Sequence, residues 1–207
     1  MTDTTFRTSI FERDEQTCCF CGFVSKKYQE ILPLNGDVRD TNPDNLATAC
    51  IFCHQCHELE KVGEMRAGVL IWLPEIDQAS LHHIARAIYI ARIARGPMAD
   101  AARSALDALM NRRDEAKKRL GTDDPLMLAS ALKDFLEEGE YVARRDKLAG
   151  IRLMPLDRRI IKEGDMEFNQ FPQILAYWRS KEGPFNGIMP ATWPQLFDSL
   201  NKTDGQA

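Results

Sequence analysis

The chain has 207 residues, 44% of them hydrophobic, and a formal net charge of −4, enough to bury a sizeable core without leaning on a metal for all of its stability. Residues 1–60 hold five basic side chains (Arg7, Arg13, Lys26, Lys27, Arg39) against ten acidic ones, a local balance of −5 that argues against a phosphate-gripping surface and hence against nucleic acid as a partner. No stretch approaches the ~20 apolar residues of a membrane span, and no basic segment followed by an apolar run opens the chain, so the expected compartment is a reducing cytoplasm in which thiols stay available for metal.

In chain order, Phe6 to Gln16 reads as a short lead-in helix or turn, with Ile10 and Phe11 apolar and Arg13, Asp14 and Glu15 facing water. It delivers the chain to Thr17–Gly22, the first of two C-x-x-C steps. All six cysteines fall between Cys18 and Cys56. Cys18/Cys21 and Cys50/Cys53 each put two thiolates on one tight turn, and two such knuckles brought together make the tetrahedral sulfur cage that Zn²⁺ prefers. One structural zinc on Cys18, Cys21, Cys50 and Cys53 is therefore expected. The alternatives are an iron–sulfur cluster, buried free thiols, or the disulfides of a secreted mini-protein, the last disfavoured by chain length. Gly22 stands where a knuckle needs a permissive backbone. Cys19, between ligands, should point away from the metal. Cys56 lies one helical turn after Cys53 and could replace it as a ligand, although a buried small hydrophobe is the simpler reading for both spare thiols.

Between the knuckles, Tyr28–Leu34 reads as a strand closed by the turn Asn35-Gly36-Asp37. From Cys53 onward a helix with no breaker before Gly63 is expected, carrying His54 and His57 on its surface. Gly68–Leu73 is a continuous apolar run bounded by Pro74, a strand buried on both faces and a candidate to extend the edge of the preceding hairpin.

Asp77 or Ser80 can cap the next helix, with Leu81, Ile84, Ile88 and Ala91 as its apolar stripe. His82 and His83 fall off that stripe and read as solvated, and Arg86, Arg92 and Arg95 give the helix a basic side for solvent or for an acidic partner. Gly96-Pro97 separates this helix from one running through Ala102, Ala105, Leu106, Leu109, Ala116 and Leu120 and stopped by Gly121. Asp124-Pro125 opens a helix with Leu128, Leu132, Phe135 and Leu136 on one face, ending near Gly139. A further helical stretch spans Tyr141 to Leu148, and Ile151–Met154 is a short strand or extended segment. Phe168, Phe171, Ile174, Leu175, Tyr177 and Trp178 are placed on one helix. With Phe185, Trp193, Leu196 and Phe197 they either pack back on the body or form a groove for a partner.

Arg13-Asp14, Cys18/Cys21 with Gly22, Pro33, Asn45-Leu46, and Cys50/Cys53 followed by His54 resemble the scaffold of HNH nucleases, a zinc-stapled treble clef that holds a ββα-metal site. That family's general-base histidine sits on the first strand, where this chain has Gln29, Glu30 and Ile31, and no histidine occurs between Cys21 and Cys53. Asn45 matches the asparagine that orients the base, and His54 or His57 could match a metal-binding histidine. With Glu30 as a substitute base these residues define the alternative reading, a metal-dependent HNH-family endonuclease using Mg²⁺ or a similar ion.

A second resemblance covers about Phe6 to Arg95. Ile10-Phe11-Glu12-Arg13-Asp14, Cys18-Cys19-Phe20-Cys21-Gly22-Phe23, Tyr28-Gln29, Asn45-Leu46, Cys50-x-x-Cys53-x-x-Cys56 and Leu70-Ile71-Trp72-Leu73-Pro74-Glu75 are similar to the IcmJ/DotN family, and Ile151-Arg152-Leu153-Met154-Pro155 to a later segment of it; from Asp157 onward the chain departs from the pattern. The resemblance implies a non-catalytic zinc-containing accessory subunit of the type IV coupling protein complex in a type IVB (Dot/Icm) secretion system. Such a subunit docks on the C-terminal extension of the coupling ATPase (DotL-like) beside other coupling-complex subunits, and is cytoplasmic, reaching the inner membrane through partners only. The fold class expected is α+β: a zinc-stapled HNH-like treble clef with a short buried strand at 1–75, a mainly helical body at 76–150, and an aromatic-rich C-terminal segment at 151–207 packed on it. No Gly-rich phosphate loop, nucleophile elbow or repeat adds a second chemistry.

Overall fold

The computed structural model describes residues 4–134 and 148–203. Helix α1 (Thr4–Arg13) leads into the first knuckle, and an antiparallel hairpin of β1 (Gln29–Pro33) and β2 (Leu46–Cys50) runs directly into α2 (Ile51–Gln55). The hairpin register pairs Gln29 with Cys50 and Pro33 with Leu46. The Asn-Gly turn forms as expected: Gly36 takes φ +78° and its N–H donates to Pro33 O. A short helix α3 (Leu59–Glu64) follows. The continuous helix expected from Cys53 to Gly63 is thus two pieces. The break at Cys56–Glu58 turns the chain so that Phe52 and Val62 enter different apolar layers.

Strand β3 (Gly68–Trp72) does not extend the β1–β2 hairpin. It pairs antiparallel with β4 (Ile151–Pro155), Leu70 opposite Leu153 and Trp72 opposite Ile151. Its two-faced burial is as expected, because this ribbon is a partition. Ile71 and Met154 face a layer that includes Phe52, Leu81, Ile88 and Trp178, while Leu70 and Leu153 face a second layer with Val62, Ala67, Ala116 and Leu128. The free edge of β3 is satisfied by irregular backbone, Leu70 N donating to Asp123 O (2.9 Å) and Trp72 N to Arg112 O (3.1 Å). The second bond explains why the expected helix to Leu120 is interrupted: α5 (Pro97–Met110) and α6 (Arg113–Leu120) are separated at Asn111–Arg112, where a carbonyl is released to serve β3.

Helix α4 (Gln78–Arg92) starts at Asp77, whose carboxylate accepts from Ser80 N at 2.7 Å, so Asp77 is the cap of the two candidates. Its buried face is rotated from the expected stripe: Leu81, Ala85, Ile88 and Tyr89 are buried, but so are His82 and Arg86, while Ile84 is 41% exposed. Gly96 precedes Pro97 at φ +88° and Gly121 ends α6 in the left-handed region. Asp124-Pro125 opens α7 (Pro125–Asp134). The expected continuation through Phe135 and Leu136 to Gly139, and the helix expected from Tyr141, lie outside the described residues.

Beyond β4, a hairpin of β5 (Ile160–Glu163) and β6 (Met166–Asn169) takes Phe168 out of the expected helix, which is α8 (Phe171–Arg179). Phe171, Ile174 and Trp178 are buried in the first layer. Trp178 stands edge-on to Phe23, Phe52 and Phe171 at centroid distances of 5.8, 5.5 and 5.9 Å. The last helix, α9 (Trp193–Thr203), leaves Leu196 and Phe197 exposed.

Candidate metal centre

The first knuckle is a backbone loop closed by its own hydrogen bonds. Thr17 bridges Val24, Cys18 N donates to Phe23 O (3.0 Å) and Gly22 N to Cys18 O (2.9 Å), with Gly22 at φ +69°. Cys19 N donates to Thr48 O (2.9 Å), which ties the loop to β2. Asp14 completes that tie: its carboxylate accepts from Thr48 N (2.8 Å) and from Arg13 Nε (2.8 Å), while Arg13 reaches Pro43 O and Leu46 O. The second knuckle straddles the end of β2 and the start of α2, with the Cys50 sulfur capping the helix from Cys53 N (3.4 Å).

These elements bring the sulfurs of Cys18, Cys21, Cys50 and Cys53 together, all within 4.8 Å of one another. The Cys21–Cys50 separation is 3.7 Å, close to the edge of about 3.8 Å of a tetrahedron with metal–sulfur bonds of about 2.3 Å. Cys18, Cys50 and Cys53 are buried and Cys21 half-buried, and none of the six cysteines is in a disulfide. The cluster could hold a metal ion. Cys19 stands outside it, exposed, with its thiol pushed up to about 11 by burial of the sulfur and by the neighbouring Cys18 charge. Cys56 also stands outside, its thiol pushed up to about 12 by burial and its sulfur directed at Phe52 O (3.6 Å).

The four thiols sit in unlike surroundings. Hydrogen bonds from Cys21, then from Cys50 and Cys53, hold the Cys18 thiol far below its usual range, whereas burial pushes Cys50 well above it despite the opposing charge of Arg86.

Two residues that sequence reasoning placed in solvent line this centre. Arg86 is 1% exposed; its Nη2 donates to Cys50 Sγ at 2.7 Å and lies 3.7 Å from Cys21 Sγ, and its guanidinium sits 3.9 Å above the Phe23 ring. His82 is fully buried, with Nδ1 3.2 Å from Cys53 Sγ. Burial, then the charge of Arg86, pushes it down to about 3. His83, by contrast, is exposed as expected, its Nε2 2.8 Å from Cys21 O. The overlooked signal is the spacing of Gln78, His82 and Arg86, a polar stripe at helical period that interleaves with Leu81, Ala85 and Ile88.

The residues of the nuclease alternative are otherwise engaged. Glu30 is held between Arg7 (3.5 Å) and Arg159 (3.4 Å). The Asn45 side chain accepts from Asn35 N (3.0 Å) and donates to Asn35 Oδ1 (3.0 Å) and Asp40 O (3.2 Å), closing the loop between β1 and β2. His54 Nδ1 lies 3.2 Å from Glu58, and burial lowers its pKa. His57 faces the Phe20 ring at 4.9 Å. Glu30, His54, Glu58, Lys61 and Arg159 line a cleft of about 150 Å³.

Fold and centre together define the class: a mixed α/β protein built on small two-stranded sheets, with a four-cysteine cluster in its N-terminal part that could hold a metal ion. No family model matches the chain. Among curated proteins it is 33% identical over 163 residues to the type 4 apparatus protein DotN of Legionella pneumophila (strain Philadelphia 1), a match covering 76% of this chain and 75% of that protein. The chain therefore belongs to the IcmJ/DotN family.

Proposed function

We propose that this protein is a non-catalytic accessory subunit of the type IV coupling protein complex of a type IVB secretion system, built around one structural zinc. In this reading it binds the C-terminal extension of the coupling ATPase on the cytoplasmic face of the inner membrane. Its kinship with a type 4 apparatus protein over three quarters of the chain supports the assignment to secretion. Among the described residues no helix is long and apolar enough to cross a membrane, which fits attachment through partners.

The observation that carries the zinc reading is Arg86. A fully buried guanidinium needs a negative partner, and its only hydrogen-bond acceptors among the described residues are sulfurs, Cys50 foremost. Four neutral thiols do not supply that charge, whereas thiolates bound to a divalent cation do. Cys18, Cys21, Cys50 and Cys53 would be the ligands, and Zn²⁺ would staple the two knuckles as a closed structural site. Knuckle, hairpin, knuckle and short helix in this order support the treble-clef, HNH-like interpretation. The Glu30 ion pairs and the loop-bound Asn45 support loss of hydrolysis, since neither side chain is free to activate water or to orient a base. The division into a metal-bearing part at 1–75, a helical body at 76–150 and a packed C-terminal segment at 151–207 belongs to the same proposal.

The test is direct binding. Purified full-length chain is titrated calorimetrically with the C-terminal extension of the coupling ATPase from the same organism, and a saturable one-to-one complex is expected. Absence of binding by the zinc-loaded chain would refute the adaptor role. Plasmid cleavage with Mg²⁺ or Mn²⁺ that is lost in Glu30→Ala would replace it with the nuclease reading.

A further inference from the structure

We propose that the Gln78–His82–Arg86 stripe of α4 is the outer coordination sphere of the metal centre, holding His82 as the Nδ1–H tautomer that donates to Cys53 and supplying the countercharge through Arg86. The inference rests on the metal reading above and goes beyond it, because it makes metal affinity a property of a helix that contributes no ligand.

The tautomer follows from a chain of obligate donors and acceptors. Leu153 N donates to Gln78 Oε1 (2.9 Å) and Gln78 Nε2 donates to Leu153 O (2.7 Å). A backbone N–H can only donate and a carbonyl can only accept, so these two bonds fix which end of the amide is nitrogen. Gln78 Nε2 then spends its second N–H on His82 Nε2, 2.8 Å away. That ring nitrogen must accept, so the proton resides on Nδ1, and Nδ1 faces Cys53 Sγ at 3.2 Å. A sulfur receiving this N–H is best matched by a thiolate, as in a metal-bound cysteine.

Arg86 lies one turn further along the same face, and its contact with Cys50 at 2.7 Å completes the pattern. Its Nε and Nη1 have no hydrogen-bond partner among the described residues, and the Phe23 and Phe52 rings lie under the guanidinium at 3.9 and 5.1 Å. A divalent ion with four thiolates carries a net charge of about −2, and a buried cation in contact with two of its sulfurs offsets part of it. The stripe thus reaches three of the four sulfurs, Cys53 through a hydrogen-bonded chain that starts at the β4 backbone of Leu153, and Cys50 and Cys21 through Arg86. Metal occupancy and the docking of α4 against the ribbon of β3 and β4 become one linked equilibrium.

The experiment has two arms on the full chain. In the first, uniformly ¹⁵N-labelled zinc-loaded protein is examined by long-range ¹⁵N–¹H correlation of its histidine rings. The Nδ1–H pattern is expected for His82, and an Nε2–H pattern in zinc-loaded protein overturns this inference while leaving the metal centre standing. In the second, zinc affinity is measured by chelator competition. Arg86→Met should bind zinc roughly 10–100-fold more weakly, with Arg86→Lys recovering part of the loss. Arg92→Met, which breaks an ion pair with Asp157 on the same helix away from the sulfurs, should lower thermal stability but leave zinc affinity within about threefold of wild type. Arg86→Met binding zinc as tightly as wild type also overturns the inference. If that variant does not fold, the tautomer arm on the wild-type chain decides. A wild-type chain that takes up no stoichiometric metal removes the metal reading itself, and this inference with it.

Discussion

Trp178→Ala is the sharpest test of how the C-terminal segment is built into the molecule. Trp178 is 1% exposed and edge-on to three rings, two of them from distant parts of the chain, Phe23 in the first knuckle and Phe52 on α2, and the third, Phe171, on its own helix. Truncating a buried tryptophan costs ~3–5 kcal/mol through lost transfer energy and the cavity left behind. Edge-to-face pairs are worth ~0.5–1.5 kcal/mol each beyond area burial, which places this site near the upper end. Against a total stability of ~5–15 kcal/mol that is a large fraction, and for a chain of this size it corresponds to a fall in Tm of about 10–20 °C. Because Phe23 and Phe52 also lie against the Arg86 guanidinium, zinc affinity should fall with stability. Urea titration followed by far-UV circular dichroism measures the first effect and chelator competition the second. A stability loss below about 1.5 kcal/mol with unchanged zinc affinity would refute the packed arrangement and favour an open aromatic groove.

Asp14→Ala should cost ~1–3 kcal/mol by leaving the Thr48 N–H without its acceptor, read from urea midpoints. Burial raises the Asp14 pKa, but the hydrogen bonds from Arg13 and from Thr48 N outweigh it and hold the carboxyl below its ordinary 3.8. Its contribution is therefore complete above that value and is lost as pH falls through the lower folded-state pKa, so the gap between wild type and variant should close in acid. Gly183→Ala should destabilise by about 3 kcal/mol or more, since a Cβ there would stand 2.0 Å from Tyr177 O and 2.8 Å from Trp178 O at the end of α8; a thermal melt superimposable on wild type would contradict that geometry. Stripping the metal with a chelator should lower Tm and expose Cys18, Cys21, Cys50 and Cys53 to alkylation, while the loaded protein is modified at Cys19 at most, as intact-mass spectrometry would report.

What the sequence made legible was local. Two C-x-x-C steps with a glycine after the first give the knuckles, Asn35-Gly36 gives the turn that ends β1, and Gly96-Pro97, Gly121 and Asp124-Pro125 mark helix boundaries because each satisfies a backbone need at one spot. The apolar run at Gly68–Trp72 announced burial on both faces but not its partner, since β4 lies across the intervening helices and pairing at that separation leaves no local trace. The break at Asn111–Arg112 was invisible for the same reason: it serves β3, not the helix. His82 and Arg86 were misplaced because polar residues default to solvent. Only the sulfurs, distant in sequence and adjacent in space, make the inward face of α4 a favourable place for a donor and a cation. Phe168 was drawn into α8 by the crowding of aromatics around it, where the Gly164-Asp165 turn instead folds a hairpin.

The most direct measurement is zinc K-edge X-ray absorption on the purified full-length chain, with elemental analysis of the same sample. One zinc per chain, surrounded by four sulfurs at about 2.3 Å, is the predicted result. No stoichiometric metal, or a shell dominated by nitrogen and oxygen, would contradict the account of two cysteine knuckles closed on a single ion.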